Sequence, residues 1–164
     1  MTITIRTARG QDVPELIRLR ALLLDDGSSS YAAANEEARR AWREAYREWL
    51  VPRLGADDDF VSLVAEDTEN ATTLVGTVTG VVDHRPPGPD CLTGQAGWVQ
   101  SLVVDPAWRR RGVSTLLMDR LLEWFTSRRV SKVVLQATPA AEPLYRRLGF
   151  VDTGEPTLHL LGVS

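Results

Sequence analysis

After Asp57-Asp58-Asp59 the hydrophobic period changes from helical to two-residue, and it recurs at that spacing as far as Val104. Phe60–Glu66 reads as a strand, Asp67-Thr68-Glu69-Asn70 as its turn and Thr73–Asp83 as the returning partner. Gly76 and Gly80 are expected to weaken that partner or to mark bulges. Trp98–Val104 is a third run, stopped by Asp105-Pro106. Three strands in succession require a sheet, and a sheet requires apolar cover. Cover is available on both sides in the chain. Asp12-Val13-Pro14-Glu15 has the form of a helix start, Asp12 capping the free amides and Glu15 reaching back three residues, with Leu16, Leu19, Leu23 and Leu24 following at helical spacing. Asn35 opens a second helix, Glu36–Leu50, in which Ala38, Trp42, Ala45, Tyr46 and Trp49 share a face, and Pro52 and Gly55 end it. Ser114–Arg129 carries Leu117, Leu121, Trp124 and Phe125 on one stripe. Thr2–Ala8 and Lys132–Ala137 read as strands, Ala140–Leu148 as a short helix, and Phe150–Asp152 and Thr157–Leu161 as final strands. The expected fold is α/β (α+β): one domain over residues 1–164, a mixed, mostly antiparallel sheet with helices on both faces.

Composition narrows the chemistry. At 164 residues, 43 % hydrophobic and 25 % charged, the chain suits a single globular domain. No stretch approaches ~20 apolar residues, so no membrane partner is expected. Met1–Arg6 alternates polar and apolar without the charged start and apolar block of a leader, and a cytoplasmic location is expected. Cys91 is the single cysteine, which excludes an intramolecular disulfide and a multi-thiolate metal site. His84 and His159 lack metal-ligand spacing, so no metal is expected. A net charge of -3 argues against broad attraction to nucleic acid.

The informative segment is Ser101–Thr115, SLVVDPAWRRRGVST. A strand passes through Asp105-Pro106 into Arg109-Arg110-Arg111-Gly112-Val113-Ser114, and a long helix begins at once. The first amides of a helix lack internal partners and carry partial positive charge. A glycine where the backbone must approach closely, beside three arginines, makes this a phosphate site. Adjacent arginines alone more often form a solvated basic loop; the glycine and the helix start distinguish this one. No Gly-Lys-Ser/Thr follows, so it is not a P-loop, and it lacks the G-x-G-x-x-G of a dinucleotide fold.

Arg109-x-x-Gly112-x-Ser114, set between a Val-Val-Asp-Pro strand end and an amphipathic helix, resembles the pyrophosphate loop of the GNAT N-acetyltransferases. Leu135-Gln-Ala-Thr-Pro-Ala-Ala-Glu-Pro-Leu-Tyr145-Arg-Arg-Leu-Gly149-Phe150 is similar to the second motif of that family, and IRTARGQDVPEL to its opening strand and helix. The resemblance implies a sheet whose central strands splay, with acetyl-CoA in the opening. It places the pantetheine arm on Leu102, Val103 and Val104 and the pyrophosphate on the amides from Arg110 through Arg111, Gly112, Val113 and Ser114 to Thr115, beside Arg109. Thr138 stands where the family usually has an asparagine on pantetheine, and Ser114 replaces the last glycine or alanine. Arg110 stands where glycine is common, which suggests a loop that needs no further left-handed residue there.

The same resemblance makes Tyr145 the catalytic candidate. When an amine attacks the thioester, CoA leaves as a thiolate, and a phenol of ordinary pKa about 10 can protonate it. The alternative for Tyr145 is a core residue packed beside Leu144 and Leu148. The base stays open among Asp83, His84, Asp90, Glu48 and water, since Trp98-Val99-Gln100-Ser101 offers no carboxylate. Trp98 and the second helix are expected to shape the acceptor pocket. Asp57–Asp59 and the loop His84–Gln95 suggest a partly acidic pocket suited to small cationic amines, with a solvated acidic loop as the alternative. The function implied is direct acetyl transfer from acetyl-CoA to a primary amine, by a protein for which a homodimer is compatible. The alternative from another class is an acyl-CoA sensor or docking module without turnover.

Overall fold

The computed structural model describes residues 2–27, 29–70 and 73–163; Met1 of the opening run lies outside them. Five strands form one sheet in the order β1 (Ile3–Thr7), β2 (Phe60–Asp67), β3 (Leu74–His84), β4 (Gln95–Val104) and β5 (Lys132–Val134). The first three pairings are antiparallel, and β4 with β5 is parallel. α1 (Val13–Leu24) and α2 (Glu36–Leu50) cover one face, α3 (Val113–Ser127) and α4 (Glu142–Arg147) the other. The mixed, mostly antiparallel architecture expected from the sequence is therefore present.

Alternation along β2 feeds two cores. Val61, Leu63 and Ala65 pack with Leu117, Met118, Leu121 and Phe125 of α3, while Phe60 and Val64 pack with Leu16, Leu19, Tyr46 and Leu50. This strand is buried on both faces, which makes it nearly continuous in apolar side chains. Glycines set the closeness of α3. A Cβ at Gly80 would stand 2.5 Å from Leu121, and one at Gly97 2.6 Å from the Phe125 ring. Gly80 thus serves helix–sheet contact, and beside Gly76 the register shifts, Ala65 pairing with Gly76 and Glu66 with Leu74, as an expected bulge there requires.

Several expectations are corrected. Asp12 does not cap α1. It closes back on the Arg9 amide (2.7 Å) and pairs with Arg6 in a preceding 3-10 turn, Gly10–Asp12. Glu15 likewise turns away from the cap. It pairs with Arg18 (2.9 Å) and accepts from the buried Leu74 amide (3.1 Å), two partners that compete with a helix terminus already fitted with Pro14. Asn35 does cap α2, accepting from the Ala38 amide at 2.9 Å. β5 stops at Val134, short of the expected Ala137. Phe150–Asp152 and Thr157–Leu161 are not strands; the chain from Val151 to Val163 runs exposed. A period of two makes a strand only where a free edge accepts it, and β5 is three residues long, while Gly154 and Pro156 interrupt the segment.

Candidate active site

The parallel ladder between β4 and β5 covers only Ala96↔Lys132, Gly97↔Val133 and Trp98↔Val134. From Val99 onward β4 continues to Val104 without a strand partner on that side among the described residues. The sheet therefore opens, and Leu102–Val104 lies along the gap with no strand beside it on that side among the described residues.

The segment after β4 forms one wall of the opening. Asp105 accepts from the Ala107 amide (3.0 Å) and so turns the chain through Pro106–Trp108. Asp105 is itself held by Arg18 of α1 (2.8 Å), whose guanidinium also donates to the Leu74 carbonyl (2.8 Å). Arg18 thereby ties α1, β3 and the start of the loop together. Gly112 then caps α3 at φ 77, with no side chain accepting from the first amides of the helix. A Cβ at Gly112 would meet open space. Arg110 has φ 60, so the loop does use a left-handed residue where glycine is common. The reading that none is needed is corrected: two reversals, at Arg110 and Gly112, are required to aim the amides of α3 into the gap.

Leu102–Val104, Arg109, Arg110, Gly112–Thr115 and Thr138 line one cavity of about 740 Å³. Leu22 and Leu23 of α1 close it from the side. Arg111 is not in its wall; its guanidinium lies 5.1 Å from the Trp108 ring centre. Tyr145 lines neither this cavity nor the next, although its neighbours Ala141 and Leu144 line this one. It is buried, with its ring edge-on to Phe150 at 5.8 Å. Burial pushes its phenol up to about 12. Its hydroxyl has no hydrogen-bond partner among the described residues. Tyr31, from the segment between α1 and α2, lies within electrostatic reach of both Tyr145 and Arg20.

A second cavity, of about 710 Å³, is lined by Arg20, Trp42, Tyr46, Trp49, Asp83, Trp98, Gln100 and Ser101 among others. The two cavities are walled by consecutive residues of β4, Ser101 ending one and Leu102 beginning the other. At that join the strand bulges: Thr77 pairs with Val103 but Thr79 with Gln100, and Ser101 has φ 53. The expected tryptophan walls, Trp98 and those of α2, are in place. The acidic stretch is not. Asp57, Asp58 and Asp59 engage Arg53, Arg128 and His84 outside the cavity. Of the four base candidates only Asp83 reaches it; His84 pairs with Asp59, Asp90 with Lys132, and Glu48 is exposed. The Asp83 carboxyl is held below the usual range by a hydrogen bond from Arg85 (2.8 Å). Arg20, at the join, is a lining residue that residue type and spacing left unmarked. Cys91 is buried and contacts the Gln95 carbonyl and Ser131, outside both cavities. Among the described residues no cluster of His, Cys, Asp or Glu could hold a metal, and no helix is long and apolar enough to cross a membrane.

The splayed sheet thus carries an uncapped helix N-terminus behind an arginine loop on one side of Ser101 and a tryptophan-walled cavity on the other. The Acetyltransferase (GNAT) family profile matches residues 18–150, and the chain belongs to that family. It is 32 % identical over 145 residues to glucosamine 6-phosphate N-acetyltransferase 1 of Oryza sativa subsp. japonica, covering 84 % of this chain and 83 % of that one. A GCN5-related N-acetyltransferase from Ralstonia eutropha JMP134 superposes with a TM-score of 0.81 at 27 % identity, over 98 % of this chain and 100 % of the other. A predicted acetyltransferase with acetyl-CoA from Clostridium acetobutylicum gives 0.74 at 25 % identity, over 98 % and 97 %. The protein is thus an N-acetyltransferase whose co-substrate is acetyl-CoA.

Proposed function

We propose that the protein transfers the acetyl group directly from acetyl-CoA to a primary amine of a small acceptor held in the tryptophan-walled cavity. The observation that carries this is the shared strand: donor and acceptor cavities meet at Ser101/Leu102, so a nitrogen in one can reach a thioester in the other. The residues of the first cavity fit the coenzyme. Bare amides of Val113–Thr115 and the side chains of Arg109 and Arg110 suit a pyrophosphate, and the open space at Gly112 leaves room for it. The free edge of Leu102–Val104 suits a pantetheine amide, with Thr138 opposite.

In the reaction the nitrogen forms a bond to the thioester carbon and the carbon–sulfur bond breaks. The departing thiolate takes a proton from the Tyr145 phenol, which burial keeps protonated at neutral pH and which stands directly behind the Ala141 and Leu144 wall of the first cavity; the phenolate then regains a proton from water. Asp83, kept ionised by Arg85, is a weak base and a good counter-ion; the amine therefore reacts from its neutral fraction, releasing its proton to water. A cavity of about 710 Å³ is the size of small-molecule sites. The rice relative is named for a small amino sugar phosphate, which joins the candidate acceptors.

Thiol release from acetyl-CoA tests the reading against a panel of amino acids, polyamines, aminoglycosides, glucosamine 6-phosphate and peptides. Release with small amines is expected. Binding of acetyl-CoA with no release for any amine would leave a sensor, and a clear preference for peptide N-termini or protein lysines would overturn the small acceptor.

A further inference from the structure

Among the described residues the half-buried arginines are paired with carboxylates, with one exception. Arg6 holds Asp12 and Glu66, Arg18 holds Glu15 and Asp105, and Arg43 holds Asp25. Arg20, half-buried on α1, has no carboxylate within ion-pair distance among the described residues. Its Nε donates to the Ser101 hydroxyl at 3.0 Å, and its guanidinium lies 4.6 Å from the Tyr46 ring centre and 5.7 Å from that of Trp42. Burial pulls its pKa down, where pairing pushes those of Arg6 and Arg18 up. An arginine placed in an aromatic wall without a counter-ion is poised to accept one.

We infer that Arg20 is the specificity-determining residue of the acceptor cavity and takes a carboxylate located beside the nucleophilic amine, so that the acceptor is an α-amino carboxylate with an apolar side chain. This rests on the reading of the tryptophan-walled cavity as the acceptor site. Position fixes where the anion lies. Ser101, the partner of Arg20, immediately precedes the Leu102–Val104 edge, so an anion on Arg20 sits next to the reacting centre and its amine within a few bonds of it. Charge fixes its valence. Asp83 is already matched by Arg85, leaving Arg20 as the one cation in the wall without a paired acid among the described residues, which balances a monoanion and leaves a dianionic phosphate half-matched. The lining fixes the remainder, because Trp42, Trp49, Val81 and Trp98 wall the same cavity as Arg20. The left-handed backbone at Ser101 fits this role, since strain of that kind persists where a site needs a group aimed.

Binding of a non-nucleophilic pair tests the assignment apart from turnover. Calorimetry on the CoA-saturated protein would compare 3-phenylpropionate with 3-phenylpropionamide, and thiol release would compare L-phenylalanine, phenethylamine and glucosamine 6-phosphate. The acid is expected to bind at least ~10-fold more tightly than the amide, with Arg20→Met erasing the difference and Arg20→Lys keeping part of it. An acid no tighter than its amide, or an acid preference that survives in folded Arg20→Met, overturns the inference; if Arg20→Met does not fold, the wild-type pair still decides. Glucosamine 6-phosphate turned over ~10-fold more efficiently than L-phenylalanine would also overturn it. An Arg20-dependent acid preference without thiol release from any amine would remove the transfer reading and leave the anion site standing.

Discussion

Arg110 and Gly112, two residues apart, both carry the backbone through the left-handed region, at φ 60 and 77, immediately before α3. For arginine that conformation costs on the order of 1 kcal/mol, and for glycine almost nothing. The loop keeps the costlier residue at a position that lines the cavity beside Leu102–Val104, the proposed seat of acetyl-CoA. Arg110→Gly is therefore expected to leave the melting temperature unchanged or slightly raised while acetyl-CoA binds several-fold more weakly. Gly112→Ala should lower stability by about 1 kcal/mol through strain alone, since its Cβ meets nothing. Gly112→Asp adds a carboxylate against the pyrophosphate and should weaken acetyl-CoA by ~30-fold or more in calorimetry. Equal affinity of the folded Ala and Asp variants would falsify this placement of the phosphates.

The arginine loop was legible because it is contiguous: strand end, Asp-Pro, arginines, glycine and helix lie within one short run, Ser101–Thr115. The second cavity was legible only in its tryptophans. Arg20 belongs to a leucine-rich helix and looks like a residue of its outer face; its meaning arises when α1 meets Tyr46 from α2 and the bulge of β4. Such a contact spans 81 positions of sequence and leaves no local pattern. The last strands failed for the opposite reason. Thr157–Leu161 has the local alternation, but pairing is decided by an edge elsewhere in the molecule, and local pattern does not report whether one is free.

Acid should expose the role of the Arg6–Asp12 pair. Burial raises the Asp12 carboxyl, but hydrogen bonds from Arg6 and from the Arg9 amide outweigh it, and the net shift is downward from 3.8. A depressed folded pKa means that the unfolded chain binds the proton first, so this contribution is complete above the unfolded value and fades as pH falls below about 4 through the folded one. With both side chains largely buried, 17 % and 7 % exposed, Asp12→Asn should cost about 3 kcal/mol at neutral pH. Denaturation at pH 7 and pH 3 should show the difference between variant and wild type shrinking in acid. A difference that stays constant would mean the pair does not carry the linkage.

The seat of α3 on the sheet is expected to tolerate no added methyl groups at two glycines. In Gly97→Ala the new carbon meets three Phe125 ring atoms at 2.6–2.8 Å, and in Gly80→Ala it meets Leu121 at 2.5 Å. Relief at Gly97 requires a rigid ring to move, whereas the Leu121 terminus at Gly80 can rotate. Overpacking costs typically ~1–3 kcal/mol. Thermal melting should place Gly97→Ala several degrees below wild type and Gly80→Ala between the two. Gly10→Ala, with nothing near its Cβ, is the control and should melt with wild type. The reverse order at Gly80 and Gly97 would show that the ring, not the leucine, is the part that yields.

Tyr145→Phe separates chemistry from packing. The ring keeps its edge-on contact with Phe150, and the hydroxyl that is lost has no partner among the described residues, so melting and acetyl-CoA affinity should change little. If the phenol protonates the leaving thiolate, kcat should fall ~10²-fold or more, and kcat/KM with it, because the interaction belongs to the transition state. The pH profile supplies an independent reading. Burial pushes the phenol up to about 12, so the acid stays protonated across the range in which the amine becomes neutral. For wild type, kcat/KM should therefore rise with pH through the amine's own titration and level off, without a descending limb between pH 8 and about 10.5. A descending limb in that range, present in wild type and absent from Tyr145→Phe, would show a phenol titrating near its ordinary value and would place the ring in solvent contact during turnover. A folded Phe variant with nearly full kcat would assign the proton to water and leave Tyr145 as a wall of the core.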